Sequence, residues 1–384
     1  MERRVLEAAN QQGRLVLLGE RRMGKSSLVE HTLGTERLLL SIDLRGLVSI
    51  EDFIDRLLLK LEDSLAEHKP ISKHLPGPLK EALAHLSEVK ISLHGIVELT
   101  AKPKTKASTV MRALDALERA SRWRPLVVFF DEFQEVIESL PERDAHHLLG
   151  VLRSEIQRHA RIAYLFAGSA RSTLLDLFTS ERSHFYQSAI PIEVGPIPRE
   201  DMSRFLSEQF ARGNRHVNPE TLHAVFELAG ESPNDQQQLA YHLWSQSTPG
   251  TIGIAELQRA VAFLMAEVGR RAELILAEAT PAQRGLLLAV AARGNQETGT
   301  DEFRRFAGFS ASSSVTAAMR PFLSGTHAIL EKRGSRVRYR EQFLRLWMTL
   351  KLRQTPSLLP GAAAMMQTGE NALFLPYLSE ALKA

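Results

Sequence analysis

The sequence predicts an α/β protein: a parallel sheet covered by helices, followed by an all-helical segment and a small winged-helix domain. Three observations carry that expectation. Short apolar runs alternate with amphipathic stretches through the first half of the chain. Strand-like runs stop near residue 195. Close to the C-terminus, three short helical patterns precede two strand-like runs around Arg333-Gly334-Ser335. Uninterrupted apolar strands separated by helices belong to parallel sheets that are buried on both faces.

Taken in order, the first strand is Leu15 to Leu18 in RLVLLGE; a glycine-rich turn and the helical SSLVEHTL follow it. Further strands are expected at LLLSIDL (Leu38 to Leu44), PLVVFFDE (Pro125 to Glu132), IAYLFAG (Ile162 to Gly168) and AIPIEV (Ala189 to Val194). Amphipathic helices such as DFIDRLLLKLEDSL and DAHHLLGVLRSEIQRH separate them. EVKISLHGIVELTA alternates and then turns at His-Gly, so a β-hairpin is expected at residues 88–101. After GPIPRED the chain reads as helical to about Arg271. TPAQRGLLLAVAARG, DEFRRFAGF and SASSSVTAAMRPFLSG then read as three short helices, the third opening on a serine-rich N-cap, with HAILEKRGSRVRYRE as the hairpin. The expected boundaries are 1–195 for the α/β core, 196–272 for the helical segment, 273–353 for the winged helix and 354–384 for a tail.

At 384 residues the chain is long enough for two or three domains at about 150 residues each. Apolar residues make up 44% and charged residues 24%, an ordinary globular balance. No apolar run approaches the roughly 18 residues that a membrane span requires. Cysteine is absent, which excludes disulfides and thiolate metal sites. The N-terminal MERRVLEAANQQGR has no apolar segment resembling a secretion signal, so a cytoplasmic location is expected. With 48 basic and 45 acidic residues the net charge is +3, and any nucleic-acid surface must be local.

The glycine-rich turn, Gly19-Glu20-Arg21-Arg22-Met23-Gly24-Lys25-Ser26, fits G-x-x-x-x-G-K-[ST]. Glycines let successive backbone N–H groups converge on phosphate oxygens, the lysine reaches the β- and γ-phosphates, and the hydroxyl serves Mg²⁺. The pattern is that expected of a phosphate loop, and the fold class expected with it is an α/β P-loop NTPase with an ASCE-type parallel sheet. VVFFDEFQE delivers Asp131 and Glu132 at the C-terminal end of an apolar strand, where ligands of open α/β sheets bind. Asp131 would hold Mg²⁺ through water or Ser26, and Glu132 would polarise the attacking water as general base. The next strand ends in Ala167-Gly168-Ser169, whose hydroxyl either senses the γ-phosphate or caps the following helix. Arg171 and Arg182 lie beyond it, either able to bring charge to a transition state from this subunit or a neighbour; Arg182, after the following helix, is the better placed.

The order GERRMGKSS, VVFFDEFQE, FAGSAR, FYQSAIPIEVGPIPRED and GESPNDQQQLAYHLW resembles the archaeal-type ATPases of the STAND branch of AAA+-related P-loop NTPases, including bacterial members. The resemblance spans roughly residues 10–350. It implies a sensor strand lying between the phosphate-loop strand and the Asp-Glu strand, a helical lid carrying a glycine-proline motif, and a C-terminal winged helix. It further implies that Gly19, Gly24, Lys25, Ser26 and Ser27 of the Walker A loop cradle ATP or ADP, with Glu20, Arg21, Arg22 and Met23 between them. Asp131 and Glu132 become the Walker B magnesium and hydrolytic pair, Ser169 the sensor, and Pro233 of Gly230-Glu231-Ser232-Pro233 the lid residue close to the adenosine. Two features depart from the pattern. Gln187 and Ser188 stand where relatives place an arginine after the tyrosine, and Met1 to Gly13 occupy the place of a base-contacting Gly-Arg-Glu segment.

From Glu331 to Arg353 eight basic residues face two acidic ones. Lys332, Arg333, Arg336 and Arg338 on the hairpin are therefore candidates for contact with duplex DNA. The third helix, Ser312 to Phe322, has Arg320 but no Asn, Gln or Lys for base edges, so sequence specificity is not expected. The histidines, His146-His147 among them, show no metal-ligand spacing. Phe129, Phe130 and Phe133 read as core, and Lys102, Lys104 and Lys106 as a solvated loop. The expected activity is a slow ATP-hydrolysing switch, with a protein partner or a homo-oligomer. A DNA-dependent ATPase and a nucleotide-holding interaction scaffold are the alternatives, and no membrane partner is expected.

Overall fold

A computed structural model of the chain describes residues 1–33, 37–68, 76, 77, 79–81, 84, 85, 106–323 and 328–359. The hairpin expected at 88–101, Lys102, Lys104, the side chain of Lys106 and tail residues 360–384 lie outside the described residues. The chain divides into two compact units, Met1–Gly195 and Pro196–Ala384. Among the described residues, no helix is long and apolar enough to cross a membrane.

The first unit is built on five parallel strands: β1 (Arg14–Leu18), β2 (Leu38–Asp43), β3 (Leu126–Asp131), β4 (Ile162–Gly168) and β5 (Ile190–Glu193). Their order is β2-β3-β4-β1-β5, with every pairing parallel. The strand ending in Ser169's neighbour Gly168 therefore lies between the phosphate-loop strand and the Asp-Glu strand, as the resemblance implied. Successive side chains in a strand point to opposite faces, and both faces here are buried. Val16, Leu18, Val128, Phe130, Tyr164 and Phe166 enter one apolar cluster, whereas Leu15, Leu17, Val127, Phe129, Ala163 and Leu165 enter another. The first cluster is covered by the helices Ile50–Glu67, Lys106–Ser121 and Glu142–Arg158, the second by Glu2–Asn10 and Lys25–Leu33. Phe129, Phe130 and Phe133 are fully buried core, and Phe130 stacks against Phe53, Tyr164 and Phe166.

In the second unit, helices Arg199–Arg212, Pro219–Ala229, Pro233–Ser245 and Ile254–Glu278 surround one apolar cluster. Helices Pro281–Arg293, Asp301–Ala307 and Ser312–Met319 form a second cluster with a small antiparallel sheet, the arrangement of a winged helix. Helix Gln342–Gln354 serves both clusters: Phe343, Leu346 and Leu350 face the first, while Leu344, Met348 and Leu352 face the second.

Three expectations need correction. The segment read as wholly helical contains a two-stranded parallel ladder, β6 (Arg215–Val217) and β7 (Gly250–Ile252), too short to leave a two-residue period in the sequence. The wing carries a third strand, β8 (Gln296–Glu297), which pairs with β10 (Arg336–Tyr339) on the edge opposite β9 (Leu330–Arg333). The third winged-helix helix has Ala311 at its N-cap without a side-chain hydrogen bond, and Ser312, Ser313 and Ser314 occupy its first turn.

Phe130 joins the sheet to its covering helices, so Phe130→Ala should cost about 3–5 kcal/mol, the usual range for a buried aromatic truncation. Urea unfolding followed by circular dichroism checks this. A loss below about 1 kcal/mol would mean that the ring's neighbours close over the cavity.

Candidate functional site

The site is built where β1, β3 and β4 end. Leaving β1, the chain turns at Gly19, where a Cβ would stand 2.5 Å from the Val194 carbonyl oxygen, so only glycine permits this approach. Gly24 adopts φ +78°, a left-handed conformation that glycine enters without steric cost. Met23 is buried against the sheet and anchors the loop between exposed Arg21 and Arg22 and the helix that begins at Lys25. Lys25 is 6% exposed, and its Nζ donates to the carbonyls of Gly19 at 2.9 Å and Glu20 at 2.8 Å. Burial lowers its pKa, opposed by the charges of Glu132, Asp131 and Glu20. Ser26, one residue on, donates its hydroxyl to Asp131 Oδ2 at 2.5 Å, closing a contact across 105 positions of sequence. Ser27 is exposed on the same first turn.

Asp131 ends β3, and its Oδ1 accepts from the Glu132 N–H at 3.0 Å. Burial and the adjacent Glu132 charge raise its pKa against the Ser26 hydrogen bond. Glu132, 8% exposed, has φ +53°, a conformation uncommon outside glycine. Its Oε2 accepts from Gln134 Nε2 at 2.7 Å, Ser169 Oγ at 2.8 Å and Ser169 N at 2.9 Å. Burial alone would raise its pKa, but these donors, with Lys25, outweigh burial and lower it. The two neighbouring carboxyls are thus shifted in opposite directions by their surroundings.

Of the two readings left open for Ser169, the helix cap is not what forms: helix Arg171–Thr179 has Ala170 at its N-cap with no side-chain bond. The Ser169 hydroxyl goes to Glu132. Arg171 is engaged by Glu193, with Nη2–Oε1 at 2.5 Å and Nε–Oε2 at 3.2 Å. Arg182 is exposed and makes no ion pair among the described residues. Gln134 was not anticipated, because a glutamine two residues beyond an acidic pair carries no distinguishing pattern; only its burial at 3% and its bond to Glu132 mark it.

In the second unit, Pro233 is buried at the first turn of helix Pro233–Ser245, after the Ser232 N-cap. Gly230, at φ +69°, ends the preceding helix, and its carbonyl accepts from Gln236 Nε2 at 2.6 Å. On the wing, Lys332 and Arg336 are exposed, whereas Arg338 is bound to Glu331; the side chain of Arg333 lies outside the described residues. Other charges of this segment are spent internally. Arg340 donates to the carbonyls of Leu330 and Leu323 at 3.0 Å each, and Arg345, its pKa lowered by burial, donates to Ala291 O at 3.1 Å. Lys351 lies 3.8 Å from Glu273. The local excess of positive charge in the sequence is therefore much reduced at the surface.

Among the described residues no group of three or more His, Asp or Glu side chains is arranged to hold a metal. The adjoining Ser26 hydroxyl and Asp131 carboxylate are a different kind of site. Two hard oxygens suit Mg²⁺, which takes few protein ligands and completes its shell with phosphates and water.

The sequence matches no family model and no curated protein. Among solved structures, a Walker-type ATPase of Pyrococcus abyssi is similar over 90% of this chain and 94% of its own, with 19% identity and a TM-score of 0.57. The ORC2 protein of Aeropyrum pernix, in ADPNP–ADP complexes, aligns over 92% and 93% at 12% identity and a TM-score of 0.48. A STAND protein with a tetratricopeptide-repeat sensor from Pyrococcus horikoshii aligns over all of this chain and 47% of its own, at 13% identity and a TM-score of 0.35. The first likeness establishes the fold: the chain is built as an α/β P-loop NTPase followed by helical and winged-helix segments, the architecture that its resemblance to archaeal-type ATPases implied.

Proposed function

We propose that the chain is an ATP-binding and ATP-hydrolysing switch whose nucleotide state rearranges the lid and winged-helix segments of Pro196–Ala384. The observation that carries the proposal is the Ser26–Asp131 hydrogen bond, which joins the phosphate-loop helix to the end of β3. Backbone N–H groups of residues 19–27 and the Lys25 ammonium bind the phosphates. In doing so Lys25 exchanges its bonds to the Gly19 and Glu20 carbonyls for bonds to phosphate oxygens. Ser26 and Asp131 would hold Mg²⁺, which, when bound, offsets the charge developing on the phosphates. Glu132 takes a proton from water as the water oxygen bonds to the γ-phosphorus and the bond to the β–γ bridging oxygen breaks, leaving ADP. Arg182, free of the ion pair that engages Arg171, is the arginine available to a neighbouring subunit.

The switch reading has its own support. Val194 donates its N–H to Leu18 O at 2.6 Å and lies against Gly19, so the segment leading out of the first unit starts in direct contact with the phosphate loop. A loop that changes shape with its nucleotide therefore acts on that segment first.

Lys25→Ala should weaken ATP binding by about 100-fold or more while leaving the fold intact, because it removes the charge that meets the β- and γ-phosphates. Titration with a fluorescent ATP analogue checks this; unchanged affinity in a folded variant would remove the nucleotide-site assignment. Glu132→Gln should keep that affinity and lower turnover by about 10²-fold or more, as loss of a general base does. Phosphate-release kinetics decide the point, and surviving turnover would assign the proton to another group.

Of the three candidate wing residues whose side chains are described, Lys332 and Arg336 are exposed. Any contribution of this pair to duplex DNA binding should then appear as a log–log salt slope that is shallower by about 1.8 in the Lys332→Ala/Arg336→Ala variant, at roughly 0.9 per phosphate contact. Anisotropy titrations at two salt concentrations measure it. Identical slopes would show that Lys332 and Arg336 do not contact phosphates.

A further inference from the structure

The carboxylate of Glu132 is held from one side. Oε2 accepts three donors, from Gln134 Nε2, Ser169 N and Ser169 Oγ, while Oε1 accepts none among the described residues. A hydroxyl has a single proton to donate. Ser169 therefore cannot give that proton to Glu132 and to a γ-phosphate oxygen at once. If the hydroxyl turns to the nucleotide, Oε2 retains the Ser169 N–H and Gln134. One donor alone leaves a carboxylate free to pivot about a single hydrogen bond; two donors from different directions fix its plane.

Gln134 is built into this position. It is 3% exposed, and its Oε1 has no hydrogen-bond partner. That oxygen lies in space left by Gly168: a Cβ at residue 168 would come within 2.0 Å of it. A buried amide acceptor left unpaired is unfavourable and calls for an explanation. Here the amide is oriented by what its nitrogen does, which is to bind Glu132. The Glu132 backbone is held as well, since the next residue, Phe133, donates its N–H to Ala167 O at 2.9 Å.

We infer that Gln134 is a positioning residue for the general base, fixing the Glu132 carboxylate so that Oε1 is the oxygen that takes the proton from the attacking water. The inference rests on the hydrolytic reading above. The group that moves is the Ser169 hydroxyl, and Gln134 is what keeps Glu132 in place when it does.

Gln134→Met keeps the length of the side chain and removes the donor. Turnover of ATP should fall about tenfold or more, as expected for a misplaced reacting group. Affinity for a non-hydrolysable ATP analogue should stay within about twofold of the wild type, since Gln134 is not among the phosphate-binding residues. In a Glu132→Gln background the same substitution should change turnover by less than about twofold, because the group being positioned has already lost its function. Unchanged turnover in Gln134→Met, or an equal loss in both backgrounds, overturns the inference; the latter would make Gln134 purely structural. Should Gln134→Met fail to fold, Gln134→Asn, which keeps an amide but withdraws it by one methylene, carries the same expectations. If Glu132→Gln itself leaves turnover intact, the hydrolytic reading fails and this inference falls with it, an outcome distinct from a failure at Gln134 alone.

Discussion

Three ionisable side chains, Lys25, Asp131 and Glu132, are mostly withdrawn from water beyond the ends of β1 and β3, the two parallel strands that flank β4, and the local structure is arranged around keeping them there. Burying a charge is costly unless hydrogen bonds and opposite charges compensate it. Compensation here comes largely from groups fixed by the fold. Lys25 is met by two carbonyls of its own loop, Asp131 by the Ser26 hydroxyl and the next N–H, and Glu132 by three donors from the ends of β3 and β4. This places a requirement on strand order. Ser169 can reach Glu132 because β4 pairs directly with β3, and β4 in turn pairs with β1, which leads into the phosphate loop.

Much of this was legible in the sequence because the strands are buried on both faces. PLVVFFDE and IAYLFAG are unbroken apolar runs, and each is bounded by the polar residues that it delivers to the site. The phosphate loop announces itself by composition, since its glycines answer to backbone geometry: Gly19 to the close approach of Val194, Gly24 to a left-handed turn. What escaped depends on contacts between distant residues. Gln134 gains its meaning from Gly168 and Ser169, and no local pattern encodes that meeting. The ladder of β6 and β7 escaped for a different reason, because three residues cannot establish a period, and the β8 strand is shorter still.

Charge was the least transferable signal. A run of basic residues reads as one patch in a sequence, yet folding sends neighbouring side chains in opposite directions. Along the hairpin and the helix after it, Arg338 finds Glu331, Arg345 turns inward to a helix carbonyl, and Glu341 is taken by Arg271 from another helix. The same helix, Gln342–Gln354, supplies apolar side chains to both clusters of the second unit. Several of its polar residues are therefore occupied in seating it, which is a packing role and subtracts from any surface available to a partner.

The edge strand β5 shows how little holds the exit from the first unit. Three of its four residues are exposed, and among the described residues it pairs only with β1, through Ile190–Glu193 against Leu15–Leu18. The Arg171–Glu193 ion pair beside it is more than half exposed on both sides, and such pairs contribute little in water. Its position therefore depends on backbone bonds to β1, on the missing side chain at Gly19 and on Ile192, the one residue of the strand that enters an apolar cluster. The first two dependencies converge on the few residues between β1 and the phosphate loop, so a distortion of that loop meets a lightly held strand on one side and, at β4, a strand buried along its whole length on the other.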